Sequence, residues 1–243
     1  MNFENDLRAT TIALVQGSKG TLCWDPVLSQ PEPTDPDGTR LHWLLTTPHL
    51  HEYVSGVVFP ESVFSNAPAL AQYAKRGGLV AGVTVDKGTT ALPNTDGDTI
   101  TEGLDGLTWR LDGYKRRGAK FARWRSSFRV SPEPAWLAIN ANAEAMARCA
   151  ALCQAQGVVP VLQPEIQDQG DHDIGAAARV CEEVLANLFT ALRRYQVNLQ
   201  YLLLSPSMVR AGTRGEQRVN ETEIAEHTLW ALRQTVPAAG PSV

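Results

Sequence analysis

Val159-Pro160-Val161-Leu162-Gln163-Pro164-Glu165-Ile166 is the stretch on which the fold reading turns. Its first half is apolar at every position rather than at every second one. A strand of a parallel sheet, covered on both faces, needs that pattern. The second half turns polar at Gln163 and Glu165. In parallel α/β folds the C-terminal ends of strands line the ligand site, so polar residues belong there.

The same alternation extends in both directions. Upstream, Trp136 to Gln156 carries Ala, Leu, Met and Cys at helical spacing and stops at Gly157. Downstream, helical patterns run from about Ile174 to Tyr195 and from about Glu221 to Thr235. Further strands are read at Gly20 to Asp25, Val54 to Pro60, Val80 to Asp86, Phe121 to Val130, Val158 to Ile166 and Gln200 to Val209. Gln30 to Gly38 is a Pro/Asp-rich loop before a helix near Thr39 to Thr47, and Thr89 to Gly106 reads as a long polar loop. Strand and helix alternating six times means a parallel α/β sheet with right-handed crossovers. An open doubly wound sheet and a (β/α)8 barrel both fit this pattern. No G-x-G-x-x-G follows a strand, against the dinucleotide-binding form of the first, and six units fall short of the eight of the second.

Polar residues recur where strands end. Asp25 ends the first and Asp86 the third. The fourth holds Arg123 and Arg125 around Trp124, the fifth closes on Gln163-Pro164-Glu165, and the sixth carries Ser205. Guanidinium forks suit phosphate, and carboxylates suit sugar hydroxyls or proton transfer. Together they suggest a small anionic, hydroxyl-bearing ligand such as a phosphorylated sugar. The alternative is that the carboxylates cap helices and the arginines pair with them.

Charge and composition exclude several classes. A net charge of −4 without a clustered basic face gives no reason to expect nucleic acid. The N-terminus has neither a basic start nor an apolar run, and no stretch approaches the roughly 18–20 apolar residues that span a bilayer. The expected location is the cytoplasm, with no membrane partner. Cys23, Cys149, Cys153 and Cys181 are too scattered for a disulfide framework, and Cys149 and Cys153 read as core-facing. In Gly170-Asp171-His172-Asp173-Ile174, Asp173 is expected to cap a helix, leaving Asp171 and His172 in a solvated loop. No metal and no cofactor is expected. Five lysines are present, at 19, 75, 87, 115 and 120, and none follows Lys120.

Longer motifs then resemble a known family. Gly103-Leu104-Asp105-Gly106-Leu107, Tyr114-Lys115 and Gly118-Ala119-Lys120-Phe121-Ala122-Arg123-Trp124-Arg125 resemble the G-L-D-G-L, Y-K and G-A-D-F-A-K-W-R of class I fructose-bisphosphate aldolases. Val159 to Ile166 followed by Gly170-Asp171-His172-Asp173 is similar to that family's V-P-I-V-E-P-E-I and G-D-H-D. Leu203 to Val209 resembles L-L-K-P-N-M-V, Val83 to Gly88 resembles I-K-V-D-K-G, and Ser18 to Asp25 resembles its first strand. The match runs in order from about residue 5 to 237. It implies one (β/α)8 TIM-barrel-type domain over residues 1–243, with six βα units and without the region of strands seven and eight.

The resemblance implies a glycolysis-type C–C lyase whose lysine at the end of strand six attacks the ketose carbonyl as a Schiff-base nucleophile. That position here is Ser205. Further family positions are also substituted: the fourth-strand lysine is Arg123, the third-strand lysine is Thr84, and the first fifth-strand glutamate is Gln163. Asp25 and Glu165 match the carboxylates that handle substrate hydroxyls and protons, Arg125 matches the sugar-phosphate arginine, and Asp86 is also a retained family position. Family members continue past Pro237 through two strands that carry a phosphate-binding Ser-Gly-Gly loop.

The expected protein is aldolase-like, without Schiff-base activity, holding a small phosphorylated sugar or other anion. One alternative is a lysine-independent enzyme using Asp25, Glu165 and Arg123. Another is a structural or interaction protein. Six parallel strands leave two unpaired edges, which a second copy or a partner protein is expected to cover.

Overall fold

Strands form where β-branched and aromatic residues run together, and each of the long ones is followed by a helix. The computed structural model describes residues 3–24, 39–66 and 69–238. Its strands are β1 (Gly20–Cys23), β2 (Val54–Phe59), β3 (Val80–Thr84), β4 (Thr89–Ala91), β5 (Thr99–Thr101), β6 (Phe121–Phe128), β7 (Val159–Ile166) and β8 (Leu203–Leu204). Its helices are α1 (Glu4–Val15), α2 (Thr39–Leu45), α3 (Glu61–Asn66), α4 (Ala69–Arg76), α5 (Leu107–Arg116), α6 (Trp136–Ala155), α7 (Ile174–Arg194) and α8 (Glu221–Thr235).

Six strands hydrogen-bond in the order β1-β2-β3-β6-β7-β8, and β4 and β5 form a separate two-stranded sheet. β1–β2, β2–β3 and β3–β6 pair in parallel. Sequential parallel strands with helical crossovers make this an incomplete (β/α)8-type fold, as the motifs imply. Among the described residues β1 and β8 are the two ends of that order.

The chain packs into two compact units. One holds the residues up to Val85 together with Gly106–Arg123 and Leu152–Val161. Its core is built on Val57, Phe59, Phe64, Val83, Leu111 and Phe121, all at most 1% exposed. Gly82 makes room for Phe121: a Cβ there would lie 2.4 Å from the ring. The other unit holds Asp86–Asp105, Trp124–Ala151 and Leu162 onward. It closes on Trp124, Ile139, Met146, Leu162, Leu185 and Leu188, none of them measurably exposed.

Helix starts in the second unit are fixed by side chains. Asp173 accepts from Ala176 N–H at 2.7 Å, the expected cap, and Gln217 accepts from Ile174 N–H at 2.8 Å. Asn220 and Glu223 form a capping box at α8. Cys149 and Cys153 are buried in α6, as read from their spacing.

Three expectations need correction. The strand expected from Gln200 to Val209 shrinks to Leu203–Leu204, because Leu199–Tyr201 forms a 3-10 helix and Pro206 has no N–H for the ladder. The loop expected from Thr89 to Gly106 contains the antiparallel pair β4–β5, with Asn94 and Gly97 at positive φ in the turn between. His172 is buried rather than solvated, at 7% exposure, and neither ring nitrogen finds a partner among the described residues. The cause is a distant loop: Gly212 N–H donates to His172 O, Thr213 N–H to Asp168 O and Arg214 N–H to Gly170 O, each at 2.8 Å. Gly212 has to be glycine, since a Cβ would lie 2.4 Å from Gly170 O. Asp171 stays exposed and accepts from Ser131 Oγ at 2.6 Å, which holds its carboxyl below the usual range. The Gln30–Gly38 loop lies outside the described residues.

Candidate functional site

In the second unit the strand ends form a polar row. Ser205 N–H donates to Leu162 O at 2.8 Å and Ser207 N–H to Pro164 O at 3.3 Å. Parallel pairing then sets Ser205 beside Gln163 and Ser207 beside Glu165. Gln167 N–H donates to Phe128 O at 2.8 Å, so in the same way Gln163 lies beside Arg125 and Glu165 beside Ser127. On the far side of Arg125 its own N–H donates to Asp86 Oδ2 at 3.3 Å. Asp86, Arg125, Gln163 and Ser205 thus lie in sequence across four neighbouring chain segments.

Strand periodicity shows why these residues share a face. Along β6, Arg125 and Ser127 are half-buried while Trp124, Ser126 and Phe128 are buried. Along β7, Gln163 and Glu165 are half-buried between the buried Leu162, Pro164 and Ile166. Ser205, after β8, is exposed. Arg125 Nε stands 4.0 Å from Glu165 Oε2, at the outer limit of an ion pair, with both side chains about one-third exposed. A pair so placed adds little to stability.

Glu165 also lines a cavity of about 1200 Å³, with Ser127, Asp168, Ser207, Met208 and Arg210 among its walls. Arg210 Nη1 pairs with Asp168 Oδ2 at 3.2 Å on its rim. Ser207 Oγ accepts from Ile166 N–H at 2.7 Å, which ties the segment after β8 to the end of β7. Ser127 and Ser207 were not singled out from the sequence. Each lies two residues beyond a singled-out position, Arg125 and Ser205, on the same strand face, and that spacing is the signal that finds them.

Thr84 and Arg123 are in the first unit, paired across β3 and β6, with Arg123 only 6% exposed. Asp25 lies outside the described residues. Among the described residues no group of three or more His, Cys, Asp or Glu could hold a metal ion. Among them too, no helix is long and apolar enough to cross a membrane.

The model of the class-I fructose-bisphosphate aldolase family matches residues 39–243. This chain belongs to the class-I fructose-bisphosphate aldolase family. A probable class 1 fructose-bisphosphate aldolase of Xylella fastidiosa is 42% identical over 205 residues, which are 82% of this chain and 61% of that one. Fructose-bisphosphate aldolase 4, cytosolic, of Arabidopsis thaliana is also 42% identical over 205 residues, covering 82% of this chain and 52% of its own length. A solved fructose-bisphosphate aldolase from Plasmodium falciparum, in complex with TRAP and an inhibitor, superposes with a TM-score of 0.90 at 31% identity. That match covers 98% of this chain and 73% of the other. The chain spans about half to three-fifths of the curated relatives' length.

A second polar cluster lies in the first unit. Arg110 and Tyr114 on α5 both bond Glu61 at the start of α3, Arg110 Nε at 3.2 Å and Tyr114 through its hydroxyl. Burial, followed by the bond to Glu61, pushes the Tyr114 phenol up to about 12. These side chains join α3 and α5 under β3, whose following residue Val85 offers its carbonyl to Arg110. The cluster's work is structural.

Proposed function

We propose that this aldolase-family chain forms no Schiff base with a ketose and keeps a reshaped site for a small phosphorylated sugar or other anion. The observation that carries this is the row Asp86–Arg125–Gln163–Ser205. A serine hydroxyl has no amine to condense with a carbonyl, and Ser205 holds the position that the resemblance assigns to the Schiff-base lysine. Lys87 is the one lysine in the unit that contains the row. Gln163 cannot exchange a proton, so the acid–base step that a glutamate would serve has no carrier there.

What is kept favours binding. Arg125 offers a guanidinium fork, and Asp86 and Glu165 offer acceptors for hydroxyls. Asp25, Thr84 and Arg123 belong to the same reading through their family positions. The edges of the sheet support self-association: β1 is largely exposed along its length, and β8 is two residues long. A second copy or a partner protein covers them in this reading. A cytoplasmic location is part of this reading, supported by the relative described as cytosolic.

The test is a coupled fructose 1,6-bisphosphate cleavage assay run beside calorimetric titration of the same compound. Cleavage should fall short of a working aldolase by at least about 10⁴-fold, since each lost acid–base or covalent group costs roughly 10²–10⁴ in rate. Arg125→Ala should weaken binding about tenfold or more. Cleavage at aldolase rates, or binding indifferent to Arg125→Ala, would overturn the proposal.

A further inference from the structure

The main chain of Arg125 is held from both sides. Its N–H donates to Asp86 Oδ2 at 3.3 Å, and its carbonyl accepts from Thr101 Oγ1 on β5 at 3.1 Å. Thr101 in turn shares a 3.0 Å hydrogen bond with Ser126 Oγ, which accepts from Trp124 Nε1 at 3.2 Å. An indole N–H only donates and a carbonyl only accepts. The proton of each hydroxyl therefore points one way, from Trp124 through Ser126 and Thr101 to Arg125 O.

β5 is held in turn by one side chain of α6. Asn142 Oδ1 accepts from Thr101 N–H at 3.0 Å, and its Nδ2 donates to Thr99 O at 2.8 Å and to Ala138 O at 3.0 Å. The polar side chains here are sealed from water: Ser126 is 0% exposed, Asn142 1% and Thr101 4%. A buried polar network strengthens its own bonds and fixes one arrangement, at a high cost to any member left unbonded. This one ends on the peptide unit that carries the row's only guanidinium. On the other face of the same strand, Arg125 reaches toward Glu165 at 4.0 Å.

We infer that Asn142 and Thr101 are positioning residues: through β5 they fix the Arg125 guanidinium and so set the affinity of the site for a phosphoryl group or similar anion. The inference rests on the reading of Arg125 as the anion anchor. Displacing an anchoring group by about 1 Å is enough to lose much of its effect, so a small shift of β5 is felt at the ligand.

The probe is fructose 1,6-bisphosphate, titrated into the full ¹⁵N-labelled chain while Arg side-chain Nε–H resonances are followed. Arg125→Lys assigns the Arg125 resonance. Thr101→Val is the cleanest variant, because it removes only the hydroxyl and keeps the N–H that Asn142 accepts. It should move the Arg125 Nε–H resonance in the free protein and weaken binding about tenfold, within the range of coupled contacting residues. Asn142→Ala should do the same or more. Thr101→Ser, which restores the hydroxyl, should bind within about twofold of wild type. If Thr101→Val only lowers the melting temperature, leaving resonance and affinity unchanged, the two residues are structural and the inference is overturned. If Arg125→Ala itself binds as wild type does, the anchor reading fails, and the inference falls with it.

Discussion

Ser205 stands beside Gln163 on the neighbouring strand, its N–H bonded to Leu162 O at 2.8 Å. In the proposed reading these are the positions of a nucleophile and of a proton carrier, and here they hold a neutral hydroxyl and a neutral amide. Restoring one without the other leaves the pair incomplete.

Ser205→Lys should therefore fail to give a working aldolase. The new amine gains a place in the row, but Gln163 beside it neither gives nor takes a proton. The variant should remain at least about 100-fold below an ordinary family member in fructose 1,6-bisphosphate cleavage. Recovery to within tenfold would show that Gln163 matters little.

Thiol chemistry distinguishes the first strand from the core. Cys23 on β1 is exposed, whereas Cys149, Cys153 and Cys181 are buried, and burial pushes the Cys181 thiol up to about 12. A maleimide reagent at pH 7 should modify one cysteine quickly in the native chain and the rest only on unfolding. Mass spectrometry of the digested product should place the label on Cys23, and rapid labelling of Cys181 would contradict the packing of α7.

The Tyr114 phenol gives a signed pH dependence. Its ordinary value is 10.0 and the folded value is about 12, so the folded chain keeps a proton that the unfolded chain releases in between. That contribution is fully present below about pH 10 and is lost as pH rises toward about 12. Tyr114→Phe should cost about 1 kcal/mol near neutrality, through the bond to Glu61, and should flatten the decline of stability above pH 10. Urea unfolding at pH 8, 10.5 and 11.5 measures both, and parallel curves for the two proteins would refute the assignment.

Native mass should exceed that of one 26.5 kDa chain, because β1 and β8 are the two ends of the sheet among the described residues. Analytical ultracentrifugation at micromolar concentration decides this. A stable monomer there would mean that the edges are covered from within the chain.

Much of this site is legible in the sequence because parity is. A strand places every second residue on one face, so Gln163 with Glu165, and Arg125 after Arg123, announce a polar face at the end of an apolar run. The lysine census adds that none of the five lysines of this sequence follows Lys120. What stays hidden depends on distant segments. β4 and β5 are three residues each, too short to print a period, and Asn142 of α6 holds β5 in place. His172 looks like a loop residue until residues 212–214 close over it. The sixth long strand reads well by composition, yet Pro206 ends its ladder after Leu204.

The most direct test is borohydride reduction of the chain in the presence of fructose 1,6-bisphosphate, followed by intact-mass measurement. With Ser205 in the row and no lysine after Lys120, the mass should stay that of the unmodified protein. A stoichiometric covalent adduct, mapped to Lys87 or any other lysine, would contradict the proposed loss of Schiff-base chemistry outright.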